Sequence, residues 1–471
     1  MKERFEVPLL AACAAGISLA GIAAGSLAAF LAAPVALLIA IQAAVISRGV
    51  TPYVARRLVG AGLAALALAV LCLGSGAILA AATCVLAGVG VLRCATQLAL
   101  RFDPPPEGLE RPRPGAGLVA GVVLDEGVKL LWETRSRTGP RSDFERLAAD
   151  VRTAADRNHE EGWLGHPERS HLAPPPLEKA HRVERRVRGS GRALEVGFAS
   201  EYEPLDSEIR DSYLAVRSNR TASALLFQRD RGEPRPTLIC VHGYGLSQPA
   251  LLARIWDVAW FDETLGIDLA LFELPLHGGR SVGRRSGEGF LDGHPLWTSA
   301  AMGQAVWDLR KLSGWLRDQG APAVGVSGQG LGGYVAAVFS SVGDSLACSV
   351  PMLPVASLES FVWRQLSPRL RVDARAAGLS ESLLADAWAR HAPLKMRPRV
   401  AHEARMVVGA LADRIAPPAE ASTLWEHWGR PTVHWMPGTH LWWSGRAAMR
   451  EALAAHLRET LGADHESPSG V

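Results

Sequence analysis

The sequence predicts an α/β protein: a mostly parallel sheet with flanking helices, preceded by an all-α membrane-embedded region. Three observations carry this. The first hundred of the 471 residues are almost wholly Ala, Leu, Val and Gly. From about residue 193, short apolar runs alternate with helix-period stretches, the pattern of strands joined by crossover helices. Between the two lies a Pro-rich, charged joint, "RFDPPPEGLERPRPG".

The apolar region comes first. No charge occurs from Pro8 to Ile46. As one helix this stretch would reach about 58 Å at ~1.5 Å per residue, roughly twice a ~30 Å hydrocarbon core. A helical hairpin is expected instead, broken near Gly25-Ser26 or at Pro34. Residues 58–92 repeat the situation, with a break at Leu73–Ala77. The basic residues Lys2, Arg4, Arg48, Arg56, Arg57, Arg93 and Arg101 all fall outside these four spans. Four crossings place them on one side of the bilayer, so both termini and the following domain are predicted to be cytoplasmic. A cleaved leader would explain only the first run. The spans hold no charge that would line a transport path.

The predicted organisation is therefore transmembrane helices over 1–100, a stiff linker over 101–116, a helical juxtamembrane segment over 117–192, an α/β domain over 193–463 and a disordered tail over 464–471. Within 117–192, helices are expected around "DEGVKLLWETRS" and "SDFERLAADVRTAADRN". The basic stretch 181–189 reads as a solvated face, with anionic lipid the other reading. Strands are expected at "ALEVGFAS", "ASALLFQR", "TLICVHG", "DLALFELP", "AVGVSG", "ACSVPML", "RMVVGALA" and "PTVHWMP".

Composition excludes some functions. The net charge is only +3, and basic residues form no patch interleaved with aromatics, so no nucleic-acid partner is expected. Histidines lack ligand spacing, and Cys13, Cys72, Cys84, Cys94, Cys240 and Cys348 form no C-x-x-C pair. No metal or cofactor is expected, and the cysteines read as buried thiols.

The chemistry-bearing stretch is "AVGVSGQGLGGYVAA", a strand, a glycine-dense turn and a helix start. A nucleophile elbow has the form G-x-Nu-x-G, because the strained turn tolerates only small residues two places either side of the nucleophile. With Ser327 at the tip, the flanks are Gly325 and Gln329, and Gln329 is too large. With Gly330 at the tip, Gly328 and Gly332 fill both slots, and a clean helix follows. The second register is favoured, and it puts glycine where a hydroxyl would stand. The same residues match G-x-G-x-x-G, but no acidic residue ends the next strand, as a dinucleotide site would require. His277, in "LPLHGGR", reads as a turn histidine. Asp413 follows one late strand and His440 the next. That is the chain order nucleophile, acid, histidine; a turn cap and a loop histidine are the plainer readings.

Together, "VHGYG", "LPLHGGR", "GQGLGGYVAA", "GALADRIAPP" and "PGTHLWW" resemble the α/β-hydrolase fold, most closely bacterial proteins of the esterase and lipase type. The resemblance covers about 193–463. It implies that Asp413 and His440 are the triad acid and base, and that Tyr244 and Leu331 supply the backbone oxyanion-hole donors. It also implies that Gly330 stands where the family has serine, and that 355–400 caps the site. The expected partners are the lipid bilayer and a small ester or acyl ligand. The expected activity is hydrolysis, weak or lost, or a ligand-binding or scaffold role without chemistry.

Overall fold

The computed structural model describes residues 6–46, 52–135, 141–228, 233–291 and 294–462. Lys2, Arg4, Arg48 and the tail expected over 464–471 lie outside the described residues. The chain forms two compact units. One comprises residues up to 135 together with 410–419 and 436–445; the other comprises 136–409, 420–435 and the C-terminal stretch from 446.

In the first unit, four apolar helices follow one another: α1 (Glu6–Ala24), α2 (Ser26–Ile46), α3 (Pro52–Gly74) and α4 (Ile78–Phe102). The first break falls at Gly25, whose φ of +107° suits a residue without a side chain, and Pro34 sits inside α2. The second break falls between Gly74 and Ile78. Glu6–Ala24, Tyr53–Gly74 and Ile78–Phe102 are long and apolar enough to cross a bilayer. Of α2, the stretch Phe30–Ile46 is also an apolar helix.

Side chains sort as a lipid-facing bundle requires. Ile17, Ile39, Leu58, Val91 and Leu98 are buried within it, while Ile22, Phe30, Leu79 and Leu86 point outward. Small residues bring α3 and α4 together: a Cβ on Gly88 would stand 3.1 Å from the Gly62 carbonyl oxygen. A fifth helix, α5 (Ala116–Arg135), begins nine residues before the Asp125 at which the sequence stretch was first read as helical.

The second unit is built on one nine-stranded sheet: β1 (His181–Val187), β2 (Gly191–Ala199), β3 (Thr221–Phe227), β4 (Thr237–Val241), β5 (Asp268–Phe272), β6 (Val324–Gln329), β7 (Ser349–Met352), β8 (Met406–Ala410) and β9 (Thr432–Met436). The spatial order is β1-β2-β3-β5-β4-β6-β7-β8-β9. β1, β2, β3 and β5 are joined by antiparallel pairings; β5, β4, β6, β7 and β8 run parallel. Helices such as Pro295–Asp318, Leu331–Val342 and Arg446–Leu461 flank it. This is the α/β class expected.

All eight predicted strands are present. β1 is an addition, since "HRVERRV" was read as part of a helical segment. Its side chains are exposed up to Arg186, so it carries no apolar alternation. It is held by backbone pairing to β2, and its Arg and Glu side chains suit an edge strand that must not pair further. β4, β5 and β6 are buried along their whole length, as central parallel strands with covered faces must be. Between β7 and β8, residues 355–400 form helices at Leu358–Gln365, Pro368–Ala376 and Glu381–Ala387.

Candidate functional site

Strand order reverses around β4: its successor β5 lies on one side and β6 on the other. The carboxyl ends of β4 and β6 thus flank a topological switch point, where open α/β sheets place ligands. The turns that follow these two strands are the glycine-rich ones.

After β6 the chain bends at Gly330, with φ +56° and ψ −112°. L-residues rarely hold that conformation, and glycine adopts it without a Cβ clash. The flanking glycines are needed for space. A Cβ on Gly328 would lie 2.1 Å from the Gly332 carbonyl oxygen, and one on Gly332 would lie 2.1 Å from that of Val241. The helix Leu331–Val342 starts at once, and Tyr334 N–H donates to the Gly330 carbonyl at 3.1 Å. Leu331 is its first residue, so its N–H has no acceptor within the helix. Ser327 lies inside β6, 1% exposed, and its hydroxyl donates to the Val350 carbonyl on β7 at 2.7 Å.

After β4, residues 242–245 make the second turn. His242 Nδ1 donates to the Gly243 carbonyl at 2.8 Å, and Leu274 N–H donates to His242 Nε2 at 3.1 Å. Both ring nitrogens are thereby used in one tautomer, and burial lowers the imidazole pKa to about 4, so it stays neutral. The turn lies against the elbow: a Cβ on Gly243 would stand 3.4 Å from the Gln329 carbonyl oxygen. The Tyr244 ring packs edge-on to His277, centroids 5.7 Å apart. His277 is fully buried and donates from Nδ1 to the Pro275 carbonyl at 2.8 Å, the role of a turn histidine. Burial holds its pKa well below the usual imidazole value. A separate cavity of about 340 Å³ in this unit is lined by His171, Tyr202, Arg210, Trp307, Arg390 and His391, and by none of the predicted site residues.

Asp413 and His440 belong to the first unit. Their loops leave β8 and β9 in chain order and meet: His440 Nδ1 donates to Asp413 Oδ2 at 2.7 Å. The other oxygen, Asp413 Oδ1, accepts from Ile415 N–H at 2.8 Å and Ala416 N–H at 2.7 Å. One loop therefore aims the carboxylate, and the carboxylate fixes the imidazole tautomer. Burial pulls the His440 pKa down, but the charge and hydrogen bond of Asp413, with the charge of Asp125, outweigh it and raise the pKa. The pair is suited to take up a proton at the imidazole and to stabilise the resulting cation.

Sequence reasoning missed the groups behind this pair. On α5, Asp125 and Glu126 are fully buried. Glu126 accepts from Lys129 Nζ at 3.1 Å, Arg414 Nε at 3.1 Å and Arg56 Nε at 3.3 Å. Arg414 also pairs with Asp103. Burial works against ionisation of Glu126, yet the three cations hold its pKa below the usual carboxylate range. Burial likewise lowers Lys129 to about 8, with Glu126 opposing. The signal was two adjacent acids in a stretch of Ala, Gly, Leu and Val.

No known protein-family profile matches the chain. Over 364 residues it is 31% identical to two uncharacterized proteins of Mycobacterium tuberculosis, MT2702 of strain CDC 1551 and Rv2627c of strain H37Rv, covering 75% of this chain and 85% of each of those. Among solved structures it is similar to the acetyl xylan esterase from Paenibacillus sp. R4, with a TM-score of 0.44 and 14% identity over 68% of this chain and 95% of that one. It is also similar to a cold-adapted esterase from an Arctic intertidal metagenomic library, with a TM-score of 0.40 and 16% identity over 60% of this chain and 99% of that one.

Proposed function

The chain belongs to the family of these two uncharacterized mycobacterial proteins, and we propose that it is a membrane-anchored protein of esterase-like hydrolase fold that has lost serine-nucleophile chemistry. It keeps a pocket of serine-hydrolase type for an ester or acyl ligand, capped by 355–400. One observation carries this: the elbow tip is Gly330, with φ and ψ in the strained region, while the nearby Ser327 hydroxyl is committed to the Val350 carbonyl. In this reading Leu331 and Tyr244 offer backbone N–H groups to the carbonyl oxygen of the ligand, and Asp413 and His440 supply the acid and base.

A second reading has its own support. The Asp413–His440 hydrogen bond is intact at 2.7 Å, an arrangement suited to activating water directly. Serine hydrolases stripped of a triad member retain roughly 10³–10⁴-fold catalysis over water from their remaining groups. In this reading His440 takes the proton from water, the oxygen attacks the acyl carbon and the leaving alkoxide collects the proton.

A fluorophosphonate probe separates these readings from ordinary serine hydrolysis, since it labels only an activated serine. The expected result is no labelling of the wild type and new labelling of Gly330→Ser. Labelling of the wild type that disappears in Ser327→Ala overturns the proposal. Slow ester turnover by the wild type, abolished in His440→Ala, selects the water-activating reading over the ligand-binding one.

In the same proposal α1–α4 cross the bilayer four times, which would put Arg56, Arg57, Arg93 and Arg101 on one side and the α/β domain in the cytoplasm; the three long apolar helices support a bilayer partner. Retention in the membrane pellet after alkaline extraction, with a C-terminal tag digested only from the cytoplasmic side, is the expected outcome. A tag digested from the opposite side excludes this topology.

A further inference from the structure

Among the described residues Asp125 makes no salt bridge to Lys or Arg, and its carboxylate accepts four hydrogen bonds. Its Oδ2 accepts from the backbone N–H groups of Arg414 and His440, both at 3.0 Å. Its Oδ1 accepts from Leu441 N–H at 3.1 Å and from the Thr439 hydroxyl at 3.2 Å. The donors come from both loops that carry the acid and the base. Two of them converge on one oxygen: the N–H of the residue after Asp413 and the N–H of His440 itself. A single oxygen thus sets the distance between two backbones that are 26 residues apart in sequence.

Among the described residues, the cations near this carboxylate are bound by other acids. It is fully buried, and the neighbouring cations Lys129, Arg56 and Arg414 are taken up by Glu126, with Asp103 completing the Arg414 pairing. The charged groups that face it are Asp413 and His440. Gly121, one turn earlier on α5, has no room for a side chain, since a Cβ there would stand 2.8 Å from Thr439 Oγ1 and 2.9 Å from Trp442 Cβ. The helix therefore presses its backbone against the histidine loop at the level where Asp125 reaches in. Leu118 adds an apolar contact on the same helix, packed with Ala412 of the acid loop and with Leu100 near the end of α4.

We propose that Asp125 is a positioning residue for the Asp413–His440 pair: it clasps the acid loop and the histidine loop together and fastens both to the helix that follows the membrane-spanning bundle. It takes no part in proton transfer. Its four donors orient the loops so that the imidazole meets Asp413, and when it is ionised its charge raises the imidazole pKa. Glu126 performs the companion task for the side chain of Arg414. In consequence the acid and base are held by α5 as well as by the backbone bonds that continue the strand pairing, Leu411 N–H to the Met436 carbonyl at 2.9 Å and Ala412 N–H to the Gly438 carbonyl at 3.1 Å. The inference rests on the reading of Asp413 and His440 as the acid–base pair.

The test reads the imidazole and needs neither a nucleophile nor turnover. Full-length protein in detergent micelles, labelled with ¹⁵N-histidine, is titrated by NMR, with His440 assigned by comparison with His440→Gln. In the wild type a downfield Nδ1 proton marks the hydrogen bond to Asp413. In Asp125→Ala that proton signal is expected to be lost, while the histidine signals of the second unit remain unchanged. In Asp125→Asn, which keeps an acceptor oxygen but no charge, the signal should survive and the His440 pKa should fall by about one pH unit. Glu126→Gln serves as the comparison, because its carboxylate touches neither His440 nor its loop; its downfield signal should persist. A downfield signal that persists in Asp125→Ala overturns the proposal. If Asp125→Ala does not fold, an unchanged His440 pKa in Asp125→Asn overturns it. Failure of the probe experiments on residue 330 would leave this result standing, so the two readings fail separately.

Discussion

The turn at Gly330 and the loops of Asp413 and His440 keep order by opposite means. At the turn the backbone carries the geometry: a left-handed residue, two glycines packed against carbonyl oxygens and a helix starting at once. No side chain is required at the tip, so the bend survives the loss of a hydroxyl. At the loops the side chains carry the geometry: Asp413 to His440, and Asp125 to four donors on both loops. Removing any of these groups leaves a buried polar partner unsatisfied. Under the proposed function, such a site can lose its nucleophile silently while its acid and base remain costly to change.

The largest effect is expected where backbone meets backbone. In Gly332→Ala the new Cβ would lie 2.1 Å from the Val241 oxygen, with no side chain to move aside. A loss of about 3 kcal/mol or more is expected, read as an earlier denaturant midpoint for the sheet-bearing unit. An unchanged midpoint would show that the elbow is not built by close packing. Gly330→Ser should be milder. It imposes a strained φ/ψ on an L-residue, at a cost of about 1–3 kcal/mol. Because that cost is bearable, the variant should fold well enough for the labelling experiment.

Much of this was readable in advance for a physical reason. Strands and elbow are local: period-two or continuous apolar runs and G-x-x-x-G spacing are written over a few residues. Gly25 and Gly74 announced the helix breaks in the same way. β1 was missed because its side chains face solvent and only its pairing to β2 makes it a strand. Asp125 was missed because its partners lie 289 and 315 residues away. Nothing near it in sequence announces the loops it holds, and buried carboxylates look like exposed ones until the fold is known.

The loops should also be the pH-sensitive half of the comparison. Burial, with the nearby Asp413 charge, raises the Asp125 pKa to about 7 against opposing contributions from His440 and the backbone donors. The folded state then binds more protons than the unfolded state between about pH 4 and 7, so this group makes stability fall as pH rises through that window. The raised His440 pKa acts in the same direction: its stabilisation is complete below the ordinary imidazole value of ~6.5 and is lost as pH rises through the folded value. The buried His242 and His277, whose pKa values are lowered, act in the opposite direction, so the readout is a difference: the midpoint advantage of wild type over His440→Gln should decline from pH 5 to pH 8. An advantage that grew over that range would contradict the raised His440 pKa.

The smallest effect sharpens the contrast most. Ser327 is three residues from the tip and is the one serine in the stretch "AVGVSGQGLGGYVAA". Its Oγ donates to the Val350 carbonyl inside the sheet. Ser327→Ala removes that one neutral hydrogen bond and creates only a small void, so the expected loss is about 1 kcal/mol. The decisive comparison is with Gly330→Ser. Placed in that background, Ser327→Ala should leave probe labelling unchanged, because a hydroxyl bonded across two strands has neither the exposure nor the direction to attack. If labelling fell in the double variant, the reactive oxygen would be the one on β6. The chain would then be a serine hydrolase in a shifted register, with Gly330 merely the hinge beside it.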